Sequence, residues 1–210
     1  KDGKDPLISI SKVDYILLTH GHRDHVGDAV NIAKKTGASL IANPELAGNL
    51  VKLTDFPAKQ SQDYIMQMGG EIQIADGEVT VAMTEAVHSS SVFNPKAGPN
   101  EPERAYGGSP AGFVIMIRNG PTIYHTGDTD LFSDMAFVPF ERPIDWMLVC
   151  MGGHFTMGPA RAARAVELVK PKSVVPIHFG TFPVLTGTPE ELERELKQRE
   201  VKAQFRVIKP

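Results

Sequence analysis

Short apolar runs recur along the chain at residues 13–18, 38–42, 71–74, 79–87, 112–118, 122–125, 146–150, 173–177 and 204–208. They are rich in Val, Ile and Leu and bounded by turn-forming or charged residues, which predicts β-strands. Several are nearly uninterrupted by polar positions, the pattern of strands covered on both faces. A second rhythm separates them. Within residues 24–35, Val26, Ala29, Val30 and Ala33 recur at i, i+3, i+4 and i+7 before Gly37, which predicts one continuous helix. Residues 159–170 begin on Pro159 and end against Pro171, predicting another. Residues 188–200 open on Thr188-Pro189-Glu190-Glu191, a capping box with proline in the first turn. Residues 44–53 predict a fourth helix. No linker, charge block or low-complexity tract divides the chain, so the expectation is one α/β domain over residues 1–210.

One stretch keeps neither rhythm. Residues 94–110 carry Pro95, Pro99, Pro102 and Pro110, which predicts no regular element, yet the stretch is long for a plain connection. The expectation is a segment that covers a functional site and helps select substrate, with Arg104 reaching a charged group. A surface excursion with a solvated Arg104 is the alternative.

Chemistry enters at Thr19-His20-Gly21-His22-Arg23-Asp24-His25, which reads H-x-H-x-D-H. In an extended turn, residues two apart point the same way, so His20 and His22 can share one ion. As the chain coils into a helix, Asp24 and His25 turn toward a second position. The competing reading, Asp24 as a helix cap, needs none of the three imidazoles. Independently, four predicted strands each end near a potential ligand: His20, His88, Asp128 and His178. In layered α/β proteins, sites gather beyond the carboxyl ends of strands. The candidate metal ligands are therefore His20, His22, Asp24, His25, His88, Asp128 and His178.

These residues sit in stretches that resemble a known family. His20-Gly21-His22-Arg23-Asp24-His25, Val87-His88-Ser89-Ser90, Tyr124-His125-Thr126-Gly127-Asp128-Thr129 and Pro176-Ile177-His178-Phe179 look like the successive metal motifs of the metallo-β-lactamase superfamily. Tyr106-Gly107-Gly108-Ser109-Pro110-Ala111-Gly112-Phe113 and His154-Phe155-Thr156-Met157-Gly158-Pro159 are similar to the metal-dependent hydrolases related to ascorbate-6-phosphate lactonase. The resemblance implies a four-layer αββα sandwich and two divalent ions. It implies His20, His22 and His88 on the first ion, Asp24, His25 and His178 on the second, and Asp128 bridging. It also implies a metal-held hydroxide as nucleophile, which a divalent ion provides by lowering the pKa of bound water from about 15.7 toward 7. Relatives usually begin with two further strands, carrying Gly-His-(Ser or Ala) and Asp-Pro. Neither precedes Val13 here, although Asp5-Pro6 is a poor fit to the second, so an unpaired sheet edge is expected.

Other residues stay open. Asp24 and His154 are the candidate catalytic residues, His154 as a substrate contact or proton donor beyond an apolar strand. His125 reads equally as a partner of the ligands and as a structural group. Cys150 closes an apolar strand and reads as core. Phe155, Met157, Phe179 and Phe182 read as pocket lining or as plain core.

Composition narrows the function. A net charge of −3, with no basic, aromatic-studded stripe, argues against nucleic acid as partner. The single cysteine excludes an internal disulfide framework and suits a cytoplasmic, reducing compartment. Residues 1–10 lack the apolar core of a signal peptide, and no apolar run approaches the roughly 20 residues that span a bilayer. The leading reading is hydrolysis of a small ester or lactone, phosphorylated ones included. Alternatives are a phosphodiesterase or ribonuclease, an iron oxidoreductase, and a non-catalytic metal-binding form. Zinc or manganese suit the His/Asp set best, and iron is compatible. A homo-oligomer is an open possibility for the sheet edge or the 94–110 stretch.

Overall fold

A computed structural model describes residues 10–139 and 142–208, so Asp5-Pro6 lies outside the described residues. The strands in the first part of the chain are β1 (Tyr15–Leu17), β2 (Ser39–Ala42), β3 (Tyr64–Ile65), β4 (Glu71–Ile74), β5 (Val79–Glu85), β6 (Ser91–Phe93) and β7 (Arg104–Tyr106). They are followed by β8 (Ala111–Ile117), β9 (Thr122–His125), β10 (Trp146–Cys150), β11 (Ser173–Ile177) and β12 (Gln204–Phe205). The helices are α1 (Arg23–Val26), α2 (Ala29–Thr36), α3 (Pro44–Leu53), α4 (Pro159–Val169) and α5 (Pro189–Gln198). The chain divides into two compact units, one of Lys1–Gln67 with Ser89–Ser109, the other of Met68–His88 with Pro110–Pro210. No helix among the described residues is long and apolar enough to cross a membrane.

The first unit holds a parallel sheet in the order β1-β2-β3 and a separate hairpin of β6 with β7. Leu40, Ala42, Leu46 and Leu50 form its core with Ala33 and Val92. Among the described residues β1 pairs with β2 alone, and its three side chains are only half-buried. α3 starts where Asn43 accepts the Leu46 N–H at 2.8 Å, with Pro44 in the first turn.

Two sequence expectations fail here. The helix expected over 24–35 is broken into α1 and α2, because Gly27 takes φ 44° and ψ −124° and Asp28 restarts the chain. A left-handed φ at glycine costs little, so the helical rhythm of the apolar positions survives while the backbone does not continue. The 94–110 stretch is not wholly irregular either. Arg104–Tyr106 pairs antiparallel with Ser91–Phe93, and bonds from Asn94 N to Glu103 O (2.8 Å) and Gly107 N to Ser90 O (3.1 Å) continue the ladder. The prolines lie outside that pairing, so none removes a ladder donor.

The second unit is a seven-stranded sheet in the order β12-β11-β10-β9-β8-β5-β4. β9 through β12 are mutually parallel, and β9, β8, β5 and β4 alternate antiparallel. Parallel neighbours need crossovers, and α4 and α5 supply them between β10, β11 and β12. Ala162, Val166, Leu192 and Leu196 of these helices pack into one core with Tyr124, Met147 and Val174 of the sheet. α5 carries the full capping box, Glu191 N donating to Thr188 Oγ1 (3.2 Å) and Thr188 N to Glu191 Oε2 (3.0 Å). Such a cap stabilises a helix by about 1 kcal/mol.

Candidate functional site

In the first unit the H-x-H-x-D-H run leaves β1 and turns into α1. His22, not Asp24, is the N-cap position, and Asp24 sits in the first turn. The buried His20 ring is central. Its Nδ1 lies 3.0 Å from Thr19 Oγ1, its Nε2 lies 3.0 Å from His22 Nδ1, and its ring centroid is 4.1 Å from that of His25. Asp24 Oδ2 lies 3.5 Å from His25 Nε2. A hydroxyl on one imidazole nitrogen orients the ring and leaves the other for an ion, the common arrangement of metal-binding histidines. Gly21, between the two histidines, lets β6 pack closely against their turn. A Cβ there would lie 3.0 Å from the Ser91 carbonyl and from Val92 Cγ2, and Gly21 N–H donates to Ser90 Oγ at 3.2 Å.

In the second unit three separate strands deliver the remaining candidates. β5 is antiparallel to β8, and β8 to β9, so β5 runs in the direction of β9 and of β11. Their carboxyl ends therefore share one edge, and His88, Asp128 and His178 follow those ends. Asp128 is buried. Its Oδ2 lies 3.7 Å from His88 Nε2 and 3.1 Å from His178 Nε2. One carboxylate facing two imidazoles offers a mixed N/O donor set without thiolate, which fits a divalent ion of the zinc, manganese or iron kind.

The supports of this second set are local and specific. Gly127, at φ 63°, makes the turn into Asp128, and its N–H donates to His125 Nδ1 at 3.0 Å. That bond gives His125 a positioning role. Thr126 Oγ1 accepts the Cys150 N–H at 3.2 Å and donates to Gly127 O at 2.8 Å. Val87 N–H donates to Thr129 Oγ1 at 2.9 Å and Val87 O accepts from Asp130 N at 3.0 Å, which clamps the residue before His88 to the residues after Asp128. His178 itself has φ 56°, a left-handed conformation that a non-glycine residue holds only when its surroundings impose it.

Of the remaining residues singled out by sequence, His154 is exposed in the loop after β10, at φ 56°, with its ring edge-on to Phe155 at 4.4 Å. Cys150 is fully buried, donates weakly to Thr129 O at 3.5 Å, and is pushed up to about 11 by burial, so it is a core thiol. Met157 is core, Phe179 packs against it, and Phe155 and Phe182 are exposed. Arg104 is exposed on β7, its Nη1 3.4 Å from Ser91 Oγ. Two positioning groups escaped the sequence reading. Ser90 joins Gly21 N to Gly107 O, and Asn43 donates to Ser109 O at 3.0 Å as well as capping α3. Asn43 before Pro44 signals a helix start, but nothing local signals either long-range bond.

The comparisons with known proteins agree with this donor chemistry. A family model described as the Beta-lactamase superfamily domain matches residues 2–179. The chain is 48% identical over 210 residues to a UPF0173 metal-dependent hydrolase of Thermodesulfovibrio yellowstonii, covering 100% of this chain and 78% of that protein. Among solved structures, a metallo hydrolase from Ignicoccus hospitalis superposes with TM-score 0.78 at 31% identity, over 97% of this chain and 79% of that one. A metallo-beta-lactamase fold protein from Bacillus subtilis, at 17% identity and TM-score 0.66 over 94% of this chain and 75% of that one, shares the fold. The chain has the α/β metallo-β-lactamase fold and belongs to the β-lactamase superfamily, within it to the UPF0173 metal-dependent hydrolases.

Proposed function

We propose that this chain hydrolyses a small ester or lactone, with phosphorylated ones among its candidate substrates, using two divalent ions held by His20, His22, Asp24 and His25 of the first unit and His88, Asp128 and His178 of the second. The observation that carries the reading is the Asp128 carboxylate, buried and facing His88 and His178 at 3.7 and 3.1 Å. A carboxylate so placed is suited to hold ions of like charge near one another, and Asp128 takes the bridging role in this reading. A zinc or manganese ion held by these residues would supply hydroxide at neutral pH and would offset negative charge on the scissile carbonyl oxygen.

The chain's own residues do the rest. Thr19 orients His20, and His125 holds the Gly127 turn that aims Asp128. Asp24, exposed at the start of α1 and 3.5 Å from His25, is assigned proton transfer in addition to ligation. His154, exposed and held in a strained conformation, is assigned donation of a proton to the departing alkoxide oxygen.

Metal counting joined to a substrate panel tests the proposal. The protein is loaded separately with Zn(II) and Mn(II), and about two bound ions per chain with turnover of esters or lactones is the expected result. Turnover confined to phosphodiesters moves the assignment to a nuclease-type hydrolase. A chain that retains no metal overturns the mechanism.

A further inference from the structure

The first unit contains a cavity of about 390 Å³ that none of the metal ligands lines. Its volume falls in the range of small-molecule sites, about 300–1,000 Å³. Val26 of α1 and Val30 of α2, half-buried over the core residues Leu50 and Val92, give it an apolar floor. On one side the Arg23 guanidinium lies over the Phe93 ring, 4.6 Å from its centroid. This cation–π contact holds the guanidinium beside the ring while its N–H groups can still donate. On the other side Lys96 Nζ and Lys34 Nζ reach opposite oxygens of Asp55, at 2.7 and 3.8 Å. Lys96, and after it Lys34, holds the Asp55 carboxyl below its ordinary range.

The charge on the walls is therefore unequal. Three cations, Arg23, Lys34 and Lys96, face one carboxylate, Asp55, so two positive charges are left over an apolar floor. An inorganic anion would leave the floor wet, and a neutral apolar molecule would leave the cations without a partner. An organic anion with a compact apolar body satisfies both. Gly21, which separates His20 from His22, also lines the cavity, so an occupant touches the backbone that presents those two ligands.

We propose that this cavity binds a small organic anion through Arg23, Lys34 and Lys96 while Val26 and Val30 cover its apolar body. Its role as the subsite for the non-reacting, anionic part of the substrate rests on the hydrolase reading; the binding itself does not. Pro95 and Lys96 supply one wall, so it is the start of the 94–110 stretch, rather than Arg104, that takes part in selection.

The test uses the full chain as purified, titrated by calorimetry with benzenesulfonate, a monoanion that binds metals poorly. Sulfate supplies the charge without the body, and benzyl alcohol the body without the charge. Benzenesulfonate is expected to bind at least about tenfold more tightly than either, as joint use of charge and apolar floor requires. The double variant K34E/K96E is expected to weaken it at least about tenfold, and Asp55→Asn to strengthen it about threefold by releasing both lysines. Lys34, Asp55 and Lys96 are all exposed, so these variants keep the core intact. Unchanged affinity in both variants, or sulfate binding as tightly as benzenesulfonate, overturns the site. Substrate kinetics separate the two proposals. If esters are turned over but an anionic ester has no lower KM than its neutral counterpart, the subsite role falls and the hydrolase stands. If benzenesulfonate binds as expected and nothing on the panel is turned over, the anion site stands and the hydrolase reading falls.

Discussion

The two donor sets of this chain are built by opposite means. In the first unit, four donors come from six consecutive residues, and the local path from β1 into α1 brings them together. In the second, three donors lie up to ninety residues apart (from His88 to His178), and only the sheet order joins them. The first set is held by short-range bonds, such as Thr19 to His20, and by one glycine that the hairpin packs against. The second depends on turns after three strands, tied by bonds from Val87 N to Thr129 Oγ1, from Cys150 N to Thr126 Oγ1 and from Met151 N to Ile177 O. A set closed within one turn tolerates loss of a member better, because the remaining donors stay in place. A set assembled by topology has no spare member.

That contrast predicts unequal damage from equivalent substitutions. Asp128→Ala is expected to lower kcat at least about 1,000-fold and to reduce bound metal, whereas His22→Ala lowers kcat about 10- to 100-fold with most metal retained. Cys150→Ala, one strand away, is the control: metal content unchanged, with a stability loss of about 1–2 kcal/mol for a shortened buried side chain. Metal analysis and initial rates on the three proteins decide it, and equal losses from Asp128→Ala and His22→Ala would erase the contrast.

Glycines probe the same difference without touching a donor. A Cβ on Gly152 would overlap the His178 carbonyl oxygen, so Gly152→Ala must move the loop after β10 or the turn that carries His178. A loss of about 3 kcal/mol in urea denaturation is expected, accompanied by reduced metal binding. Gly37→Ala in the first unit, at φ 75° with open space around it, is expected to cost only about 1 kcal/mol and to leave the metal content alone. Comparable melting shifts for the two would mean that the second set is no more tightly fitted than an ordinary helix end.

A subtler test concerns His125, which holds the Gly127 turn that leads into Asp128. His125→Phe keeps the ring volume and removes the acceptor of the Gly127 N–H. Loss of such an outer partner typically lowers metal affinity or turnover about 10-fold. His125→Asn, which retains an acceptor on a shorter side chain, is expected to recover part of that loss, a rescue that a purely space-filling role would not produce.

How far these features could be read in advance follows the same division. The strands at 71–74, 122–125, 146–150 and 173–177 and the helix at 44–53 have the bounds expected from the sequence. Each is encoded in its own residues. β3 and the β6–β7 hairpin were invisible because strands of two or three residues carry too few positions for a period to register. The break at Gly27 was hidden because α2 resumes the same apolar rhythm after it. The motif that places His20, His22, Asp24 and His25 in one turn was legible in the sequence. The clamp from Val87 to Thr129 and Asp130, the Ser90 bridge and the charged cavity near Asp55 were not, since each joins residues about 40 or more apart or a hairpin that the sequence does not announce.

The smallest expected effect lies at the far end of the second unit's sheet, where Asp145 precedes β10. Its Oδ2 accepts the Thr122 N–H at 2.8 Å, its Oδ1 accepts from Lys172 Nζ at 2.6 Å, and its backbone pairs with Thr122 O and Ser173 N. It thus ties the starts of β9, β10 and β11 together at the end opposite the donors. Lys172 first, then the Thr122 N–H, holds the carboxyl below its ordinary value of 3.8. A carboxyl whose pKa is lower when folded stabilises the fold above its unfolded pKa, and the contribution disappears as pH falls through the folded pKa. Asp145→Asn is therefore expected to cost about 1 kcal/mol at pH 7, the scale of a partly exposed charge-assisted bond. The difference from the parent protein should shrink steadily below about pH 4, as the parent's carboxyl takes up its proton. Denaturant titrations of both proteins between pH 7 and pH 3 measure this directly. Because the substitution leaves His88, Asp128 and His178 and their supports untouched, metal content and kcat at pH 7 should match the parent; a difference that grows on acidification, or a loss of metal, would show that this end of the sheet is not the independent fastening its hydrogen bonds describe.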